Sequence, residues 1–361
     1  MSGVTVLRLV AYMIGTATVC TTSFSEASSA DFKGREAVLW NPGGKFSSAL
    51  EKAYIASFEA ETGAKIRLVE ANIDQAISAA SAQSKAGSAG WDGLAAVDSS
   101  YMPRLIAEGV VQTMDASDIP SLKSLPKTSL NDYGIPMMGS VATVSYRDAD
   151  GVVPLRAVSD FFDPTIKGAR AMSSLAGEAQ YICTLALLSD GVTIDELSKR
   201  IDVDRCLKIV DRIKDQVTDY WANGSQMAQL MIDDSVDYCL SRDGRILQAA
   251  LANPEWEDSV QWRHPVFGYF VRLKGAKNGD IIEALAKYSL DPKRQAEFTE
   301  ELGYSAPNPE SLAFLPDTLK PFISAAPQAQ AVLTTIPAAL FERMADQQVE
   351  IGNAWQAYVS K

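Results

Sequence analysis

The chain has 361 residues, 47% of them apolar and 22% charged, the composition of a folded protein too long for one ordinary core, so two domains are expected. Its 33 basic and 45 acidic residues give a formal net charge of −12, which excludes nucleic acid as a partner, because phosphate binding needs a basic face. A single histidine, His264, lies between Arg263 and Pro265; any Ser-His-Asp triad or two-histidine metal site would have to use it, so it reads as structural, with no metal and no cofactor expected.

The N-terminus reads as an export signal. Arg8 precedes an apolar run from Leu9 to Val19, and Ser, Thr and Ala residues follow up to Ala27 and Ala30. Basic, apolar and small-residue regions in that order mark a secretory signal peptide over residues 1–30, cleaved after Ala27 or Ala30. The run is too short for a stable bilayer span, and no later stretch reaches about 18 apolar residues, so the mature chain is expected to be soluble. Val19 before Cys20 argues against lipidation. Export leaves Cys183, Cys206 and Cys239, enough for one internal disulfide whose pair the sequence does not choose.

The mature chain opens with a strand over Arg35–Trp40, the turn Asn41-Pro42-Gly43-Gly44, a helix over Ser47–Thr62 capped by Gly63, and a strand over Ile66–Val69. That is a βαβ unit with a parallel sheet. Ligands bind such sheets at the carboxyl ends of the strands, which makes Asn41 and Gly43 candidate contacts. Ser78–Gly90 reads as helix running into loop, and Leu94–Val97 as strand. Asp98 or Ser99 would then cap a helix from about Met102 to Glu108, or its free amides, with Asp98, Ser100 and Tyr101, would meet a ligand.

Tyr133–Arg147 carries almost no charge and after Pro136 runs through small and β-branched residues, the pattern of a doubly buried strand or of one passing between domains. Beyond it a helix is expected from Ala171-Met172-Ser173-Ser174 to Leu188, and another over Ile194–Val217. The loop from Tyr220 through Trp221, Ser225 and Gln226 is polar and aromatic, Val236–Leu240 is strand-like, and Ser241–Arg245 reads as a turn with two arginines. A partner strand, Val266–Leu273, precedes two amphipathic helices over Asp280–Leu290 and Pro292–Leu302. A chain that leaves one α/β domain by one strand and returns by another is a two-lobe clamp with two hinge-crossing strands, here Val141–Tyr146 and Phe267–Arg272. The expected lobes are residues 31–140 with 274–361, and residues 141–273.

Several short stretches then resemble the substrate-binding proteins of bacterial ABC importers, in the spermidine/putrescine-binding branch. They are Tyr133-Gly-Ile-Pro136, Glu108-Gly109 before a valine pair, the region from Trp221 through Gln226, Lys274-Gly-Ala-Lys-Asn278 and Gly303-Tyr304-Ser-Ala-Pro307-Asn308. The resemblance spans about residues 36–361 and implies a type II periplasmic-binding-protein clamp of two α/β lobes. It also implies a ligand in the interlobe cleft, a membrane permease as partner, a monomer and no chemistry. On the same resemblance Tyr304 keeps a ligand-contacting tyrosine and Tyr101 lies beside another. The carboxylates that hold a polyamine fall near Ser173, Ser174 and Ala176 and at Gly268, and a tryptophan falls at Arg242. Tyr269 and Phe341 complete the implied contact set. Two lost carboxylates and one gained arginine suit a neutral or anionic ligand better than a diamine, with Glu178 or Asp243 available as a displaced charge. Arg242 could instead be a solvated turn residue paired with Asp243. The other class considered is a secreted enzyme using the pair Asp233-Asp234, which reads more simply as a solvated turn. A ferric-ion binder is disfavoured, since no Tyr-Tyr pair occurs.

Overall fold

The computed structural model describes residues 32–115, 119, 122, 132–253, 255–258, 264–320 and 337–361. The expected signal, residues 1–30, lies outside them. Among the described residues no helix is long and apolar enough to cross a membrane.

The order of elements begins β1 (Glu36–Asn41), α1 (Lys45–Leu50), a π-helical turn (Glu51–Ile55), α2 (Ala56–Thr62), β2 (Lys65–Glu70), α3 (Ile73–Lys85), β3 (Gly93–Asp98), α4 (Met102–Ala107) and β4 (Val111–Gln112). There follow β5 (Gly134–Arg147), α5 (Val158–Phe161), β6 (Arg170–Ser173), α6 (Ala179–Ser189), α7 (Ile194–Lys199), α8 (Val203–Asp211), β7 (Val217–Trp221), α9 (Gly224–Ile232), β8 (Tyr238–Arg242) and α10 (Asp243–Ala252). The chain closes with β9 (Trp256–Asp258), β10 (His264–Leu273), α11 (Gly279–Tyr288), α12 (Pro292–Leu302) and α13 (Ala338–Val359).

One sheet runs through both lobes in the order β2-β1-β3-β10-β5-β8-β6-β7. Strands β1, β2 and β3 are parallel, as are β6, β7 and β8; the antiparallel pair β5 and β10 joins the two sets. The fourteen-residue β5 makes the passage: Gly134 to Ala142 pair with β10, and Ala142 to Tyr146 pair with β8. Its nearly uncharged sequence follows from burial on both faces. Each half of the sheet has its own core. Leu39, Phe46, Tyr54, Phe58, Ile282 and Phe298 fill the first; Val144, Met172, Ile182, Leu185, Ile209 and Tyr238 fill the second.

The βαβ opening, the Gly63 cap at φ 70° and the final helix pair match the sequence reading. Four elements differ. Ala171–Ser173 is strand, not the start of a helix, because it lies between β7 and β8 with both faces covered. Ser241 and Arg242 extend β8, and Asp243 begins α10 where a turn was expected. The helix expected over Ile194–Val217 breaks at Arg200, and Asp202 caps a second segment by accepting from the Arg205 amide. Helix α13, expected with the first lobe, buries Leu340, Met344, Ile351 and Trp355 in the second core.

Cys183 and Cys206 form the disulfide, joining α6 to α8, and Cys239 is a buried free thiol that burial holds above its usual pKa. Closing a loop of sequence separation 23 restricts the unfolded chain by about 3 kcal/mol. A Cys183→Ser/Cys206→Ser variant is therefore expected to unfold at lower denaturant with a loss near that size. Alkylation followed by mass spectrometry checks the pairing: of the cysteines beyond residue 31, denaturation alone should expose one thiol and reduction all three.

Candidate functional site

The parallel strands of both halves point their carboxyl ends at one cavity of about 150 Å³. Trp40 comes from the end of β1, Asn72 and Ile73 follow β2, and Asp98 ends β3. From the other side come Leu175 after β6, Trp221 at the end of β7 and Arg242 at the end of β8. This is the crevice that open α/β sheets present to ligands, here assembled from two lobes. Phe46, Met138, Met227, Phe267 and Trp221 give it apolar walls. Ala96, also in the wall, carries a φ of 58°, unfavourable for alanine by about 1 kcal/mol or more. It sits where the pairing of β3 with β10 slips register, a bulge that re-aims the strand end carrying Asp98.

Asp98 is the centre of the polar network. Its Oδ1 accepts from the Tyr181 hydroxyl at 2.8 Å, and its Oδ2 lies 3.3 Å from Arg242 Nη2. The same Nη2 donates to Glu178 Oε1 at 2.7 Å, and the guanidinium lies 4.5 Å from the centre of the Tyr181 ring. Burial opposes the charge of Arg242, but the two carboxylates outweigh it and hold its pKa above the ordinary value. Burial pushes the Glu178 carboxyl up, against the downward pull of Arg242. The Tyr101 and Tyr181 hydroxyls are likewise raised, chiefly by burial, and remain donors. Tyr101 donates to Asp74 Oδ1, while Asp74 Oδ2 accepts from the Ala176 amide at 2.9 Å.

A second arginine, Arg245, lies on α10 and also lines the cavity. Its Nε donates to the Tyr304 hydroxyl at 3.0 Å, and its guanidinium lies 5.3 Å from that ring's centre. Tyr304 follows Gly303, whose left-handed φ of 76° ends α12 and turns the chain back to the cleft. Two glycines let the halves approach. A Cβ on Gly177 would stand 1.7 Å from the Tyr101 hydroxyl, and one on Gly244 would stand 2.6 Å from the Tyr304 ring. Among the described residues the lining holds two carboxylates, Asp98 and Glu178, and two guanidiniums, Arg242 and Arg245, which balance formally. Arg242 Nη1, Trp40 Nε1 and Glu178 Oε2 are buried and have no hydrogen-bond partner among the described residues.

Of the residues singled out from sequence, Asp98, Tyr101, Glu178, Trp221, Arg242, Gly268 and Tyr304 meet at the cavity. The others stand behind or beside it. Asn41 Oδ1 accepts from the Gly43 amide and the Ser47 hydroxyl, shaping the turn. Ser100 accepts from Gln348 on α13; Ser173 Oγ accepts from the Leu175 amide; Ser174 Oγ donates to the Trp221 carbonyl. Gln226 accepts from the Ala222 amide, Ser225 lines a separate groove with Lys45 and Leu251, and Tyr269 packs with Trp40, Tyr101 and Val271 in the core. Phe341 lies on α13 and its side chain is outside the described residues. Asp98 does not cap α4, whose N-cap is Tyr101 without a side-chain bond. Arg242 pairs across the cleft and not with Asp243, which accepts from Ser140 Oγ and the Val141 amide. Trp40, Arg245 and the paired role of Glu178 were missed. The signal for Trp40 was its place one residue before the turn already singled out; for Arg245, it was its spacing one helical turn from Arg242.

Comparison with known proteins agrees with this architecture. Residues 53–331 match the family described as bacterial extracellular solute-binding protein. A gamma-aminobutyric acid-binding protein of Pseudomonas aeruginosa is 23% identical over 337 residues, covering 92% of this chain and 94% of its own. Among solved structures, the PBP AgtB from A. tumefaciens R10 in complex with agropinic acid superposes with TM-score 0.76 at 23% identity, covering 91% of this chain and 99% of that one. A putative spermidine/putrescine ABC transporter protein from Listeria monocytogenes superposes with TM-score 0.72 at 19% identity, covering 90% and 99%. These are two-lobed type II binding-protein folds, and this chain has that fold.

The Gly177–Tyr101 approach gives a prediction that adds no charge to the cavity and removes no polar group from it. In Gly177→Ala the added methyl group and Tyr101 cannot both keep their positions, and overpacking of this kind costs about 1–3 kcal/mol. Ligand affinity is expected to fall roughly 5- to 150-fold with little change in thermal unfolding of the ligand-free protein. Wild-type affinity in a calorimetric titration would show that the two lobes do not close through this contact.

Proposed function

Because the chain belongs to the bacterial extracellular solute-binding protein family, we propose that it captures one small polar solute in the interlobe cleft and hands it to an ABC transporter permease. The solute is neutral or anionic overall, the protein acts as a monomer in the periplasm, and it performs no chemistry on what it carries. The observation that carries this reading is the cavity itself. It lies at the carboxyl ends of both sets of parallel strands, and its carboxylates are already matched by guanidiniums.

A diamine needs a surplus of acceptors, whereas this lining is balanced. Arg242 Nη1 and Trp40 Nε1 are left as donors, and Glu178 Oε2 is left as the acceptor. Two guanidiniums, Arg242 and Arg245, line the cavity, so a solute with a carboxylate or similar acceptor at one end fits. Two of the similar proteins are named for acids, gamma-aminobutyric acid and agropinic acid, which favours that class over the polyamine named for the third. The solute shifts the clamp toward its closed form only by touching both lobes, and residues from each line this cavity.

Native mass spectrometry of freshly purified protein should show one small molecule per chain. Adding it back to stripped protein should change tryptophan fluorescence saturably, because Trp40 and Trp221 line the cavity, and the solute should be recovered chemically unchanged. Turnover of the solute would favour the enzyme reading instead. Intact mass of the periplasmic form checks export, with a chain starting at Ser28 or Asp31 expected; retention of residues 1–27 would refute it.

A further inference from the structure

Asp98, Glu178 and the face of Tyr181 together make a cage of the kind that binds organic cations: two carboxylates and an aromatic ring around one site. In this chain the cage is filled from within. The Arg242 guanidinium lies between the carboxylates at 3.3 and 2.7 Å, with the ring centre 4.5 Å away, and its side chain is only 8% exposed. The cage also spans the cleft, since Asp98 ends a first-lobe strand while Glu178, Tyr181 and Arg242 belong to the second lobe. We propose that Arg242 determines specificity by permanently occupying this organic-cation cage, so that solutes with a net positive charge, such as diamines and alkylguanidines, are turned away from the cleft while solutes that are neutral or anionic overall, zwitterions included, are admitted. The inference rests on the reading of the cleft as the solute site.

The physical reason is a competition that a tethered cation wins. A free amine entering the cleft would have to displace a guanidinium already desolvated, stacked and bonded to two carboxylates, and would then leave that guanidinium buried and unpaired. A neutral or anionic solute meets no such obstacle, because it does not compete with the guanidinium for the two carboxylates. Rejection of the wrong class is thus built in as repulsion and lost pairing, not as poor fit. Shortening the side chain should expose the cage: in Arg242→Ala two carboxylates and a ring would surround a space the size of an alkylguanidinium.

The test is calorimetric titration with methylguanidinium chloride and with putrescine, against sodium chloride at equal ionic strength. Wild type is expected to show no saturable binding of either cation. Arg242→Ala should bind methylguanidinium at one saturable site, and Arg242→Ala/Glu178→Gln should bind it about tenfold or more weaker. Saturable cation binding by wild type would overturn the proposal, and so would a folded Arg242→Ala protein that binds neither cation. Should Arg242→Ala not fold, the double variant, which loses one charge of each sign, carries the test, and absence of a saturable site there overturns the proposal. These outcomes are separate from the reading of the cleft, which fails instead if wild type carries and binds no solute.

Discussion

The structure depends on one carboxylate shared across a gap. Asp98 ends a first-lobe strand and takes a proton donor from each of two second-lobe side chains, Tyr181 and Arg242. A charged group buried between two bodies fixes their separation and their angle, because every ångström of opening uncovers a guanidinium and a carboxylate to water or leaves them unpaired. Other contacts are arranged around this one. Asp74 reaches the Ala176 amide, Arg245 reaches Tyr304, and Gly177 and Gly244 remove the Cβ atoms that would hold the lobes apart. The two long strands beneath, β5 and β10, carry the sheet from one half to the other, and Asp243 accepts from Ser140 and Val141 at the crossing point.

Much of this was readable from local sequence. The βαβ opening follows from periodicity and from Gly63; the crossing strands follow from long runs without charge; Tyr304 follows from the resemblance of Gly303–Asn308 to the importer binding proteins. What could not be read was pairing over distance. Arg242 stands 144 residues from Asp98 and 64 from Glu178, and no spacing rule connects them. The neighbour Asp243 was the natural local partner for Arg242, but it faces the hinge strand instead. The short strand Arg170–Ser173 was mistaken for a helix start because a strand buried on both faces loses the alternation that identifies strands. Residues 274–361 are expected as one piece of the first lobe, yet Leu340, Met344, Ile351 and Trp355 pack in the second core, a long-range choice no local pattern carries.

Bulk charge and local charge also part company. The chain carries a formal charge of −12, which in isolation would draw attention to cationic solutes, yet among the described residues the cavity lining sets two carboxylates against two guanidiniums. The surface charge acts over a screened distance of about 8 Å at physiological salt and governs solubility and encounter, whereas selection among solutes takes place among desolvated groups a few ångströms apart. The disulfide sits in the second core, and the buried Cys239 packs in a cluster with Trp221 and Met227, which also line the cavity.

The central claim is that solute binding closes two lobes about the paired strands and locks them through Asp98 and Arg242. Small-angle X-ray scattering of stripped protein, recorded with and without the co-purified solute at saturation, tests it most directly. The account predicts a smaller radius of gyration in the bound state; an unchanged radius at saturating solute would contradict it.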